Sequence, residues 1–151
     1  MGLFQPFDIA ATGMTAQRFR MDIIAENIAN VSTTRTEKGL PYRRKMVTFQ
    51  EKQLKSGVPS FKHILKESTA AYKGNGVKVV KVSEDTENDF IMVYDPSHPD
   101  ADENGYVSYP NVNTVTEMTN LISASRSYEA NVTAFNAIKS MASSGIQIGE
   151  R

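Results

Sequence analysis

The chain has no cysteine, no tryptophan and only two histidines. Without Cys there is no disulfide framework, no thiolate metal site and no Cys nucleophile. His63 and His98 lie 35 residues apart, outside any spacing used by a metal site. An excess of one charge is also missing. Seventeen basic and seventeen acidic residues cancel, so neither a nucleic-acid binder nor a membrane-steered protein is indicated. No apolar run approaches the ~20 residues that cross a bilayer, so no direct membrane insertion is expected. The first basic residue is Arg18, so there is no cationic n-region and a secretory signal peptide is not expected. Met1-Gly2 begins a myristoylation motif, but Pro6 stands where that motif needs Ser or Thr. The chain therefore reads as a soluble cytosolic protein, or as one that leaves the cell without a cleaved signal. Large aliphatic and Phe residues are few as well. Leu, Ile, Val and Phe total 34 of 151 residues, just above the composition at which disorder becomes the default. A domain of this length should bury roughly 68–70% of its unfolded surface, which this inventory achieves more readily when partners supply some of the burial.

What is present falls into three regions. Residues 1–34 are dominated by a helical pattern from about Asp8 to Val31. Its apolar series Ala10, Met14, Gln17, Met21, Ile24, Ile28, Val31 advances in steps of 4 and 3, a heptad-like seam with one polar member. Asp8 is placed to cap it, Pro6 lies just upstream, and Ser32-Thr33-Thr34 ends the pattern. Gly13 inside this helix costs about 1 kcal/mol relative to Ala. Residues 35–110 hold five of the six prolines and read as strands and turns. Strand-like pieces are Lys45–Gln50, Gly76–Ser83 and Asp89–Tyr94, with Gly74-Asn75-Gly76 as a turn signal. The run Asp95-Pro96-Ser97-His98-Pro99 excludes helix, since each residue before Pro is pushed to extended geometry.

Residues 111–151 read as a long helix to about Gln147. Asn113 or Thr114 is placed to cap it, and Glu117 follows Thr114 at capping-box spacing. Its series is Val115, Met118, Leu121/Ile122, Ser125, Tyr128, Val132, Phe135, Ile138, Ala142. Between Val112 and Ile146 only Glu117, Arg126, Glu129 and Lys139 are charged. A solvent-facing helix usually carries more Lys and Glu. One made of Asn, Ser, Thr and Ala admits close neighbours on several sides.

Charge is segregated in the middle region. Residues 35–55 carry seven basic and two acidic residues, and residues 84–103 carry eight acidic and no Lys or Arg. Two readings stand: two solvated faces of one domain, or opposite patches that meet on neighbouring copies and set their register.

No catalytic constellation emerges. Asp100-Ala101-Asp102-Glu103-Asn104-Gly105 matches the first half of an EF-hand loop, but position 12 is Asn111 where a bidentate Glu is required. A tight polar turn, with Gly105 supplying positive φ, accounts for the same residues. There is no Gly-x-Ser-x-Gly elbow and no phosphate loop. Gly74-Asn75-Gly76 lacks the third glycine of a dinucleotide fingerprint and precedes a strand. Arg43-Arg44-Lys45, with Tyr42 and Phe49 nearby, is read as an exposed basic turn rather than a nucleic-acid contact. No cofactor and no enzymatic activity are expected.

The two ends carry a family resemblance. Ile23-Ile24-Ala25-Glu26-Asn27-Ile28-Ala29-Asn30-Val31-Ser32-Thr33-Thr34 resembles the N-terminal signature of bacterial flagellar axial proteins of the rod and hook class, with Gly39-Leu40-Pro41-Tyr42 displaced by several residues. Asn111 to Met118 and Ile122 to Asn131 are similar to the C-terminal stretch of rod proteins. Val93 to Ala101, followed by Gly105-Tyr106-Val107, narrows the resemblance to the proximal-rod members.

The resemblance implies a structural subunit of the flagellar proximal rod, the drive shaft of the basal body. It implies export unfolded through the flagellar type III apparatus without a cleaved signal, and terminal helices that fold on assembly, transmit torque and line the export channel. The partners it implies are the other proximal and distal rod proteins, the adaptor between rod and MS ring, the export apparatus, and further copies of the chain. The alternative from a different class is a soluble adaptor or Ca²⁺-binding module using the acidic loop 95–105.

The expected fold is α+β: two long terminal helices packed as a coiled-coil-like bundle with a small β-rich middle. The expected assembly interface comprises Met14, Met21, Ile24, Asn27, Ile28 and Asn30 on the first helix, and Val115, Met118, Leu121, Ile122, Tyr128, Val132 and Phe135 on the second. Asn27 and Asn30 either cap the helix end or bond across subunits. Arg126 and Glu129 form an i,i+3 pair worth about 0.2–0.5 kcal/mol on one helix.

Overall fold

The computed structural model describes residues 4–52 and 74–149. His63, Lys55 and Met1-Gly2 lie outside the described residues. The elements run α1 (Gln5–Ala29), β1 (Lys45–Glu51), β2 (Val77–Glu84), β3 (Ile91–Tyr94), β4 (Tyr106–Tyr109) and α2 (Thr114–Gly149). The class is α+β, with the two helices packed on each other.

Helix α1 begins three residues earlier than its apolar pattern suggests. Phe4 is the N-cap and makes no side-chain cap bond; Pro6 sits in the first turn, where its missing N–H leaves nothing unsatisfied. Asp8 is therefore not the cap. It lies inside the first turn, where a carboxylate favours the helix dipole. The helix closes through Asn30, whose backbone N–H and side-chain amide both donate to the Glu26 carbonyl, at 3.1 and 2.9 Å.

Helix α2 is capped by Asn113, whose Oδ1 accepts the Thr116 N–H at 3.1 Å. The Thr114–Glu117 capping box does not form. Glu117 is 1% exposed and turns inward.

The helices run antiparallel: Phe7 meets Phe135 edge-on at 5.1 Å, Gly13 meets Asn131, and Asn27 meets Glu117. The covered face of α2 is Glu117, Leu121, Ala124, Tyr128, Asn131, Phe135, Ile138 and Ala142, in steps of 4 and 3. Val115, Met118 and Ile122 do not belong to it. They are 75%, 52% and 56% exposed. Each sits one residue, about 100°, from a seam member or from the seam line, so the apolar series straddles two stripes. Gly13 explains itself here: a Cβ at this position would lie 2.7 Å from Asn131 Oδ1. A bare backbone lets the helices approach.

The other side of α1 is covered by an antiparallel ribbon, β1–β2, in register from Lys45↔Glu84 to Glu51↔Val77 with a bulge after Thr48. The Gln5 amide donates to the Gly74 carbonyl at 3.0 Å, and Val77 N–H donates to Thr12 Oγ1 at 3.2 Å. A second ribbon pairs β3 with β4, Ile91↔Tyr109 to Tyr94↔Tyr106. Strand β4 was not among the expected elements. It is only four residues long and follows directly on Gly105, whose φ of +80° makes the turn.

Candidate assembly interface and its buried polar hub

Asn27 sits at the end of α1, 1% exposed, and uses its whole hydrogen-bonding capacity. Its amide faces the backbone of Lys45, the first residue of β1. Nδ2 donates to the Lys45 carbonyl at 2.9 Å, and Oδ1 accepts the Lys45 N–H at 2.9 Å. The side chain thus acts as an extra rung on the strand. Oδ1 also accepts from Tyr42 Oη at 2.8 Å, and Nδ2 donates to Glu117 Oε2 at 3.0 Å. Asn27 therefore does not cap its helix. It ties α1, β1 and α2 of one chain together.

Glu117 is the acidic centre of this hub. Its Oε1 accepts from Arg44 Nε at 2.9 Å and Arg44 Nη2 at 2.8 Å. Arg44 reaches on to Asp85 at 3.5 Å, and Asp85 returns its backbone N–H to the Arg44 carbonyl at 2.8 Å. Asp85 is 2% exposed. The Asn88 side-chain amide, then the Asn88 and Glu87 backbone N–H groups, and Arg44 hold its carboxyl below the usual range, against the opposing effect of burial. Asn111 completes the ring. Its Oδ1 accepts the Arg44 N–H at 2.9 Å and its amide donates to the carbonyls of Asp85 and Asn88 at 3.1 and 3.0 Å. Burial, with Glu26, Glu117 and Glu84 nearby, pushes the Tyr42 hydroxyl far up, so it stays a neutral donor. Lys45 Nζ pairs with Glu26.

Arg43-Arg44-Lys45 is therefore not a free basic turn. Arg44 points into the hub, and Arg43 donates to the Asp85 carbonyl at 3.0 Å and lies over Phe90 at 4.5 Å. The basic and acidic segments meet within one chain, at Arg44–Asp85, at the Lys45↔Glu84 rung and at Arg35–Asp100, 3.7 Å apart. Thr34 Oγ1 also donates to Asp100 at 2.8 Å, which binds the segment after α1 to the acidic loop.

Two other carboxylates of that loop take donors from their own turns. Asp95 accepts from Ser97 N–H and Oγ, at 3.1 and 2.6 Å, and Asp102 accepts the N–H groups of Asn104 and Tyr106, at 2.9 and 2.8 Å. These carboxylates shape a turn. Among the described residues no group of three or more His, Asp or Glu is placed to hold a metal ion, and no helix is long and apolar enough to cross a membrane.

The expected interface residues occupy three settings. Ile24 is buried, and Met14, Met21 and Ile28 are half-buried on α1. Leu121, Tyr128 and Phe135 line the α1–α2 seam, with Val132 half-buried beside it. Val115, Met118 and Ile122 stand outside as an apolar stripe. Asn30 stays within its chain, accepting from Thr33 Oγ1 at 3.1 Å. Sequence reasoning missed Tyr42, Arg44, Asp85, Asn111 and Glu117 as one group. The available signal was Glu117, which falls four residues before Leu121 and so on the seam face.

The two helical ends of this α+β chain coincide with the segments that two family models match, and both models describe the class of flagellar basal-body rod proteins. The family model described as "Flagella basal body rod protein" matches residues 7–35. The one described as "Flagellar basal body rod FlgEFG protein C-terminal" matches residues 103–148. Among full-length relatives, the flagellar basal-body rod protein FlgC of Bacillus subtilis is 47% identical, spanning 99% of this chain and 100% of the relative. FlgC of Borreliella burgdorferi is 45% identical over 98% of both. FlgC of Escherichia coli O157:H7 is 41% identical over 99% of this chain and 100% of the relative. The chain belongs to the FlgC family of flagellar basal-body rod proteins.

Proposed function

We propose that this chain is an axial subunit of the proximal rod that polymerises through its terminal helices, transmits torque and lines the export channel, with no catalytic role. The observation that carries the reading is the stripe Val115, Met118, Ile122, which the α1–α2 seam leaves 75%, 52% and 56% exposed. Three large apolar side chains at helical spacing, more than half exposed among the described residues, suit a neighbouring helix. The other seam residues named above contribute by building the two-helix unit that presents this stripe. The partners are further copies, the other proximal and distal rod proteins, the adaptor between rod and MS ring, and the export apparatus that delivers the chain without a cleaved signal to a rod spanning the periplasm. The hub offers no competing chemistry, since each polar group in it is held by a named partner. The carboxylates Asp95 and Asp102 of the acidic loop are occupied by donors of their own turn, which removes support from a Ca²⁺ module.

The test is Met118→Asp with Ile122→Asp. Both positions are exposed, so the purified variant should keep the wild-type unfolding midpoint. Cells carrying it should lose motility, and extracted basal bodies should lack the chain. Normal motility with normal incorporation would refute the reading.

A further inference from the structure

The turn Gly74-Asn75-Gly76 plays no part in the assembly reading, yet it is tied to α1 on both sides. The Gly74 carbonyl accepts from the Gln5 amide at 3.0 Å, and Thr12 Oγ1 accepts the Val77 N–H at 3.2 Å. Between these anchors, residue 76 has to be glycine. Its φ is +84°, and a Cβ there would overlap Thr12 Oγ1. Docking the ribbon on α1 therefore leaves residue 76 with no side chain to shield its backbone nitrogen. The residue before it is an asparagine.

That pairing carries a reaction. The side-chain carbonyl carbon of Asn and the next backbone nitrogen can close a five-membered ring, and a following glycine hinders the closure least. The chain has two Asn-Gly dipeptides, Asn75-Gly76 and Asn104-Gly105. Their surroundings differ. The Gly105 N–H donates to the Asp102 carbonyl at 3.0 Å, and the Asn104 N–H donates to Asp102 Oδ1 at 2.9 Å. The attacking nitrogen of that turn is engaged, and rotating Asn104 into position breaks both bonds. The Gly76 N–H has no acceptor among the described residues, and the Asn75 side chain makes no hydrogen bond there. Exposure alone ranks the two sites the other way, since Asn104 is exposed and Asn75 half-buried.

We propose that Asn75 is a self-modification site, converting through a cyclic imide to aspartate and isoaspartate, while the turn around Asn104 protects the second Asn-Gly pair. The Gly76 nitrogen bonds to Asn75 Cγ and the Cγ–Nδ2 bond breaks. The amide leaves as ammonia, taking up the proton that the Gly76 nitrogen gives up. Water then adds to one of the two imide carbonyls and opens the ring. Opening at one carbonyl gives aspartate. Opening at the other gives isoaspartate, in which the main chain runs through the former side chain. That route adds one main-chain carbon between Gly74 and Gly76. Gly74 and Val77 are both bonded to α1, so the longer path does not fit its two anchors. The isoaspartate form therefore loosens the β1–β2 ribbon from the first half of α1.

The test uses the purified full chain, aged in warm, mildly alkaline buffer. Peptide mass spectrometry reads the exchange of amide for acid at each Asn, and an isoaspartyl methyltransferase with a labelled methyl donor counts isoaspartate. In the folded chain Asn75 should convert about tenfold faster than Asn104, because the second turn must first open its hydrogen bonds. In urea the two sites should convert at similar rates. Asp102→Ala should speed conversion of Asn104 and leave Asn75 unchanged. Asn75→Gln keeps the amide but would have to close a larger ring, so it should lose most of the methyl-acceptor signal. Ageing should lower the unfolding midpoint of the wild-type chain and leave that of Asn75→Gln in place. Conversion of Asn104 as fast as Asn75 in the folded chain would overturn the site, and so would a methyl-acceptor signal that survives Asn75→Gln. An aged wild-type chain that converts at Asn75 yet unfolds like the fresh one would overturn the loosening of the ribbon.

Discussion

At the scale of single residues, the hub shows why a polar group is buried between two amphipathic helices. Asn27 on α1 bonds both the start of β1 and Glu117 on α2, and Arg44 just before β1 bonds Glu117 as well, so the geometry of α1, β1 and α2 is set by directional bonds where the apolar seam alone would tolerate sliding. Seams that repeat every seven residues have neighbouring registers of similar burial, and one buried polar group can select among them. The energetic consequence is asymmetric. Arg44→Met leaves the Glu117 carboxylate buried with one remaining donor, and should cost about 3–5 kcal/mol. Arg44→Met combined with Glu117→Leu removes both charges and should recover much of that loss. Urea unfolding followed by far-UV circular dichroism measures both. If the double variant is as unstable as the sum of the two singles, the pair is not acting as a unit.

At the scale of elements, both helices and the strands β1, β2 and β3 are legible from periodicity and turn residues, while the pairing of those strands is not. The helix ends are less so. Asp8 has the right chemistry for a cap, but Phe4 takes the role as α1 extends backward, and of the two candidates for α2 it is Asn113 that caps, while Glu117 turns inward. The hub was illegible because its members come from five segments, and only the fold brings residues 27, 44, 85, 111 and 117 together. The α2 stripes were merged because Leu121 and Ile122 are both apolar, and sequence alone does not say which one faces α1. Gly13 is the instructive case: by propensity it is a defect, and by packing it is required. Ala at a helical Gly normally gains about 0.5–1 kcal/mol. Here the added Cβ meets Asn131 Oδ1, held in place by the donation of its amide to the Ser127 carbonyl at 2.8 Å. Gly13→Ala should therefore show no gain or a loss in the wild-type background. In an Asn131→Ala background the same change should stabilise by about 0.5–1 kcal/mol. Equal effects in both backgrounds would mean that the helices do not approach closely at this point.

At the scale of the whole molecule, the described core is small. Its buried apolar residues are Ala10, Ala16, Ile24, Tyr42, Val107, Val112 and Ala124, three of them alanines that contribute little transfer free energy. Cover also falls unevenly along α2. As far as Phe135, which meets Phe7, it faces α1 and the hub; the last third passes beyond α1 with Met141, Ile146 and Ile148 in solvent. Each ordered backbone residue costs about 1–2 kcal/mol, and few isolated helical turns offset that without tertiary contact. A gradient of local stability follows. In the purified full chain, amide hydrogen exchange should be slowest from Glu117 to Ala124, where Glu117 is 1% exposed and Ala124 is fully buried. It should be intermediate through Phe135 and fastest from Met141 onward. In assembled basal bodies the fast segment should become protected, because a neighbouring subunit then covers it. The comparison is made by exchange followed by peptide mass spectrometry on both samples. Uniform protection of α2 in the free chain would mean that the helix is stable without neighbours, and that its exposed apolar end is not held open for one.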